Sequence, residues 1–119
     1  MVILPWPHRN LSPNARTHWS AKARSSAKAK SDAFYATKAS GLKPFTRFHL
    51  TFCPPDNRRR DLDNLIASSK AALDGMAKAM GVDDAAFRWT AEIGEVCPGG
   101  RVIVTPDDVT NIPFRGVIS

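Results

Sequence analysis

The sequence predicts a small α/β (α+β) fold: a mixed β-sheet with two main helices, in the order β-α-β-α-β-β. Three observations predict it. At 119 residues with 43% hydrophobic and 24% charged side chains, the chain has the composition of one globular domain with a core and no room for a second. Short segments alternate apolar and polar side chains, as half-buried strands do. Two long proline-free segments repeat apolar residues every three or four positions, as helices do.

Val2-Ile3-Leu4 reads as a short strand that stops at Pro5-Trp6-Pro7, because proline cannot donate to a central ladder. A loop over Asn10 to Asn14 follows. From His18 to Ala39 the chain is rich in Ala, Lys and Arg without Gly or Pro, and Trp19, Ala23, Ala27, Phe34 and Ala39 recur near helical spacing. This predicts a basic amphipathic helix with those residues toward the core, ended by Ser40-Gly41. Arg47 to Phe52 alternates as a strand and is stopped by Pro54-Pro55. Leu62, Ile66, Ser69, Leu73, Met76 and Met80 then fall three or four apart over five turns, predicting one continuous helix closed by Gly81 and a turn at Val82-Asp83-Asp84. Arg88 to Val96 alternates again, with Trp89, Ala91 and Ile93 on one face. Pro98-Gly99-Gly100 gives a reversal and Arg101 to Thr105 a last strand, so a β-hairpin is the simplest account of this part. Residues 1–105 form the expected domain, and Pro106 to Ser119 a C-terminal tail.

The charge is uneven. Seventeen Lys and Arg against eleven Asp and Glu give +6, a balance that suits a polyanionic partner. No acid occurs from Met1 through Ser31, where Arg9, Arg16, Lys22, Arg24, Lys28 and Lys30 all fall; a phosphate backbone is the natural counterpart, and a solvated basic face the bland one. No apolar run approaches the roughly 18 residues of a membrane helix, and the start lacks a basic segment followed by an apolar one, so a cytoplasmic protein without membrane contact is expected. Cys53 and Cys97 are too few for a disulfide scaffold and lack zinc-site spacing. His8, His18 and His49 are scattered and read as structural.

Asp61 and Asp63 stand where a loop hands over to a helix, directly after Arg58-Arg59-Arg60. Helix capping accounts for one aspartate. It does not require two, nor three mutually repelling arginines at the positive end of a helix dipole; an external anion would relieve that repulsion. Two carboxylates at such a junction can converge on a hard cation such as Mg²⁺ while guanidinium groups hold a phosphodiester. Asp83-Asp84 offers a third acid. A straight helix of about 30 Å would separate it from Asp63, so either the helix is broken or the acid comes from a second subunit. Lys70 is seven residues after Asp63, about 20° away on the wheel and about 10 Å along the axis, within reach of a phosphate bound there. An i,i+4 pair with Asp74 is its alternative.

The run Asp56-Asn57-Arg58-Arg59-Arg60-Asp61-Leu62-Asp63-Asn64-Leu65, followed by a helix and Gly81-Val82-Asp83-Asp84, resembles the RusA family of Holliday-junction resolvases. Leu4-Pro5-Trp6-Pro7, Gly99-Gly100-Arg101 and the order of elements agree with that family over roughly residues 2–105, and Leu11-Ser12-Pro13-Asn14-Ala15-Arg16 with a basic helix after it looks like its phage-type branch. The resemblance implies a homodimer that cuts four-way DNA junctions by symmetric, Mg²⁺-dependent nicks, Mn²⁺ being an alternative ion. It assigns the catalytic, metal-holding acids to Asp61, Asp63 and Asp84. The family's lysine usually lies six residues after the first acid, where this chain has Ala67; matching Leu73-Asp74 makes Lys70 its counterpart.

The resulting expectation is an endonuclease for branched DNA, with Lys70 assisting the scissile phosphate, Arg58, Arg59 and Arg60 clamping the backbone, and Arg16, Lys22, Arg24 and Lys28 tracking DNA arms. A non-catalytic DNA-binding module in which Asp61 is only a cap is the first alternative. A phosphatase built on Asp-x-Asp is the second, disfavoured by arginines where an apolar strand would stand.

Overall fold

Phe48, Leu50 and Phe52 alternate along one strand and are completely buried, which is what a strand at the centre of a sheet with one covered face requires. In the computed structural model, which describes residues 1–107, that strand is β2 (Arg47–Cys53). Before it come β1 (Val2–Pro5), a 3-10 turn (Arg9–Leu11) and α1 (Trp19–Ser40); after it come α2 (Leu62–Ser68), α3 (Lys70–Met80), a second 3-10 turn (Asp84–Ala86), β3 (Arg88–Ile93) and β4 (Arg101–Pro106). The mixed α+β class is as the sequence predicts. Of the expected tail, residues 108–119 lie outside the described residues.

The four strands form one sheet in the order β1-β4-β2-β3. β4 runs antiparallel to both β1 and β2, with Val104 opposite Val2 and Leu50, while β3 runs parallel to β2, with Ala91 opposite Leu50. Pro5 is tolerated because β1 is an edge strand. The expected hairpin is therefore corrected: β2 lies between β3 and β4. Residues 94–100 are no tight turn but a connection that follows the end of β2, Gly94 donating to the Phe52 carbonyl and Cys97 to that of Pro54, before it tightens at Gly99 and Gly100. Alternation places Trp89, Ala91 and Ile93 on the side of Phe48, Leu50 and Phe52, but on this edge strand only Ala91 packs against the core, and Trp89 and Ile93 stay exposed. Alternation could not set the neighbour.

Val2, Leu4, Phe48, Leu50, Phe52, Val102 and Val104 meet Ala33, Leu65, Met76 and Ala77 of the helices in one core. Phe87 closes its end against Phe48, ring centroids 5.0 Å apart and perpendicular. The other sheet face carries His49, whose ring lies 2.6 Å from the Thr90 hydroxyl and 2.8 Å from a Glu92 carboxylate oxygen.

Two helix expectations are also corrected. α1 does not turn Trp19, Ala23, Ala27 and Ala39 inward: all are exposed, Trp19 at 75%. Its buried residues are Ala33 and Thr37, because α1 packs on α3 through small side chains; a Cβ at Gly75 of α3 would stand 2.1 Å from the Lys30 carbonyl oxygen. Aromatic rings on that face would hold the helices apart. The helix over Leu62 to Met80, read as one periodic segment with a break as one way to bring Asp84 near Asp63, is interrupted at Ser69, whose backbone (φ −96°, ψ 0°) leaves the helical range. The Ser69 hydroxyl donates to the Leu65 carbonyl at 2.9 Å and the Ser68 hydroxyl to that of Asn64 at 2.7 Å, while the Ser69 amide turns to Ile66. Two adjacent serines bonding back to the preceding turn break the ladder where apolar periodicity alone continues it.

Candidate nucleic-acid interface

Two loops face each other at one end of the sheet, the one after β1 and the one between β2 and α2. Between them lies a cleft of about 530 Å³ lined by Trp6, Pro7, His8, Arg9, Pro55, Arg58, Arg59 and Arg60. An adjoining recess of about 280 Å³ shares most of that wall and reaches Asp61 and Asn64 at the start of α2. Four arginines thus surround the mouth of a helix that begins with an acid.

Each side chain is held differently. The Arg60 guanidinium is mostly covered, with 14% of its side chain exposed. It donates to the carbonyls of Asp56 and Arg58 at 3.0 and 2.9 Å, pairs with the Asp56 carboxylate at 3.0 Å, and stands 5.4 Å from the centre of the Trp6 ring. Trp6 is in turn set edge-on against Phe52 of the core. A Cβ at Gly100 would come within 3.0 Å of both Trp6 and Pro55, so the turn after residue 98 closes the same corner. Arg58 pairs with Asp56 at 3.2 Å and remains largely exposed. Hydrogen bonds from the Arg58 side chain and amide, and then from Arg60, hold the Asp56 carboxyl well below the usual carboxylate range. The repulsion within the arginine run is therefore relieved in part from inside, by Asp56. Arg59 lines both recesses and makes no ion pair or side-chain hydrogen bond with the described residues.

Asp61 is the N-cap of α2: one carboxylate oxygen accepts from the Asp63 amide at 2.9 Å, the chain being extended at that residue. Its second oxygen is uncommitted, and Asp63, exposed in the first turn, has no side-chain partner among the described residues. These two acids suit a hard cation in type and placement. Asp84 does not join them within one protomer. It begins the 3-10 turn beyond α3 and lines a separate recess with Asp74, Lys78, Val82 and Asp83; Asp83 is used as a cap, accepting from the Ala85 amide at 2.9 Å. Among the described residues no three His, Cys, Asp or Glu are grouped to hold a metal. Lys70 is likewise apart. Ser69 interrupts the helix between Asp63 and Lys70, and Lys70 lines a recess with Ser26, Lys30 and Asp74 rather than the cleft.

The basic residues around α1 do not form one stripe. Arg16 precedes the helix; Arg24 and Lys28 lie about 40° apart on the wheel, and Lys22 about 160° from Arg24. Lys28 pairs with Asp32 at 2.7 Å. His8 and His18 each accept a backbone hydrogen bond from the residue two positions on, and His8 also lines the cleft. What sequence reasoning missed is the other half of the cleft, Trp6 to Arg9. Its signals were present: Arg9 opens the acid-free cationic stretch, and Pro5-Trp6-Pro7 ends a strand with a bulky ring.

No protein-family model matches this sequence. The chain is 33% identical over 123 residues to an uncharacterized protein of Xylella fastidiosa, with 97% of this chain and 80% of that protein covered. The chain belongs to the same family as that protein. No helix among the described residues is long and apolar enough to cross a membrane.

Proposed function

We propose that the protein is a metal-dependent endonuclease acting on branched DNA, of the kind its Arg58-to-Asn64 segment resembles. The observation that carries this reading is that Asp61 lines the recess adjoining an arginine-lined cleft, together with Arg9, Arg59 and Arg60, with Asp63 two residues on. Acids repel a polyanion, so carboxylates set where arginines gather phosphate need a compensating cation. Mg²⁺ or Mn²⁺ there would supply an acidified water and neutralise charge developing on the phosphodiester. The protein's own part is to position: Arg59, with Arg9, holds the backbone, Arg60 fixes the loop, and Asp61 keeps one oxygen free while its other caps α2. The phosphate contact expected of Lys70 passes to Arg59, which lines the recess of Asp61. Asp84 would come from a second copy in a twofold dimer, whose two equivalent sites suit a four-way junction.

A non-catalytic DNA-binding module is the second reading, favoured by the capping use of Asp61 and the distant recess of Asp84. Cleavage of a synthetic four-way junction and of a linear duplex, with Mg²⁺ or with EDTA, separates the two. The nuclease reading expects Mg²⁺-dependent nicking of the junction, lowered by about a hundredfold or more in Asp63→Asn, while junction binding is kept or tightened because a repelling charge is gone. Nicking by Asp63→Asn at the wild-type rate rules out the metal assignment.

A further inference from the structure

Behind the Trp6-Pro7-His8 wall of the cationic cleft lies a second, apolar cavity of about 160 Å³. Leu4 and Val102 of the sheet, Leu11, Ala29 and Ala33 near and on α1, and Ala72 of α3 give it an almost wholly apolar lining. Such a void is unusual, because protein interiors leave few gaps larger than a water molecule. The same three wall residues line the cavity and the arginine-lined recesses. A ligand occupying both is flat and apolar at one end and anionic at the other.

We propose that this cavity receives one unstacked pyrimidine base of a DNA strand whose phosphates lie along Arg9 and Arg59, an inference that rests on the nucleic-acid reading of the cleft. Size decides the ring. Cavities of about 150 Å³ accept a single benzene ring, which matches one pyrimidine ring more closely than a two-ring purine. The polar groups at the edge suit the rim of a base. The His8 Nδ1 atom accepts from the Asn10 amide at 3.0 Å, which leaves Nε2 as a donor. Ser68 and Ser69 both give their hydroxyl hydrogens to backbone carbonyls and so keep oxygen lone pairs to accept. Lys28 and Asp32, paired at 2.7 Å, add one donor and one acceptor. The serines that break the helix thus also border the cavity. An enzyme that works where strands exchange meets unstacked bases there, and extruding a base is easiest where pairing is already lost.

The test measures the affinity of fluorescent hexathymidylate, hexadeoxyadenylate and a six-residue abasic strand for the wild-type protein and for Ala72→Leu and Ala29→Leu, which fill the cavity from two helices. Circular dichroism checks folding, and two variants guard against the loss of one. Wild type is expected to bind hexathymidylate about tenfold more tightly than the abasic strand, the effect of one well-placed base, with hexadeoxyadenylate near the abasic value. In either folded variant the preference falls to within about twofold, while the salt dependence of binding is unchanged because the phosphate contacts remain. Equal wild-type affinity for all three strands, with salt-dependent binding retained, overturns the base pocket and leaves the cleft reading standing. Absence of binding to any strand overturns both.

Discussion

The β2–α2 junction and the helix α1 are both rich in basic residues, and they hold their charges in opposite ways. At the junction Asp56, two backbone carbonyls and the face of Trp6 fix Arg60, and this leaves Arg59 on the wall of a cleft. Along α1 the cations point to different sides, and the helix is attached by Ala33, Thr37 and its close approach to Gly75. The phosphate site proposed above would need a supported frame; the junction offers one in the loop that Arg60 holds, from which the exposed Arg59 projects, whereas α1 could contribute only long-range attraction. The junction is the built part, and α1 a scaffold with a diffuse cationic surface.

The comparison breaks most severely at Gly75. A methyl group there would overlap the Lys30 backbone, which cannot step aside as a side chain would. Gly75→Ala is expected to destabilise the fold by about 3 kcal/mol, the upper end for overpacking, as measured by urea unfolding. A change below about 1 kcal/mol would mean that α1 is not fixed by this contact.

Arg60→Ala comes next. It removes a mostly covered guanidinium together with its bonds to two carbonyls and to Asp56, at a cost of about 2 kcal/mol for hydrogen bonds to a charged group. Arg60→Lys should rescue little of this, since an ammonium lacks the planar fork that serves these partners together and stacks on an indole. Full rescue by lysine would show that charge alone organises the loop.

These two residues also show what could be read from the sequence. Alternation marks β2 and β3, the prolines after Leu4 and the Gly99-Gly100 reversal bound β1 and β4, and the Asp-Leu-Asp-Asn segment after the arginines marks the junction, because all of these signals are local. Strand order was not legible: the residues of β3 are the same whether the neighbour is β4 or β2, and only the buried, central position of Phe48, Leu50 and Phe52 decides. The place of the helix break is not legible because Ser69 fits the apolar period by position while its hydroxyl competes for the backbone. The inward face of α1 is not legible because alanines occur all round this helix, and only its close approach to Gly75 selects Ala33 and Thr37 over Ala23, Ala27 and Ala39. Half of the cleft comes from residues 6–9, about fifty positions from the arginines, a proximity that no local pattern encodes.

A smaller effect, on binding alone, separates Arg59 from Arg24. In the nucleic-acid reading Arg59→Ala should weaken binding to a four-way junction by about tenfold and reduce the salt slope by about one ion. Arg24→Ala, on a solvated flank, should change affinity by less than about twofold. Equal losses would mean that the cleft is no better a phosphate site than the helix surface.

Smallest is the effect of acid on Asp56. Its carboxyl titrates well below the ordinary range because hydrogen bonds from Arg58, then Arg60, favour the charged form. A folded-state value below the unfolded one means that the carboxylate contributes its full stability above about pH 4, the unfolded value, and loses it progressively as the pH falls from there through the depressed folded value. Asp56 is exposed enough for solvent to screen most of this, so global stability should change little and the junction should report it first. In a carbon-detected NMR titration the Asp56 carboxyl should still be ionised near pH 3, where free carboxyls are mostly protonated. Arg58→Ala should raise its midpoint more than Arg60→Ala does, since the Arg58 side chain supplies the largest of the bonds that lower it and an attraction of opposite charges besides, although the bond from the residue-58 amide is kept. A midpoint at the ordinary value in the wild-type protein would show that Asp56 does not tie the arginine run together, and the contrast between a built junction and a diffuse helix would lose its internal counter-ion.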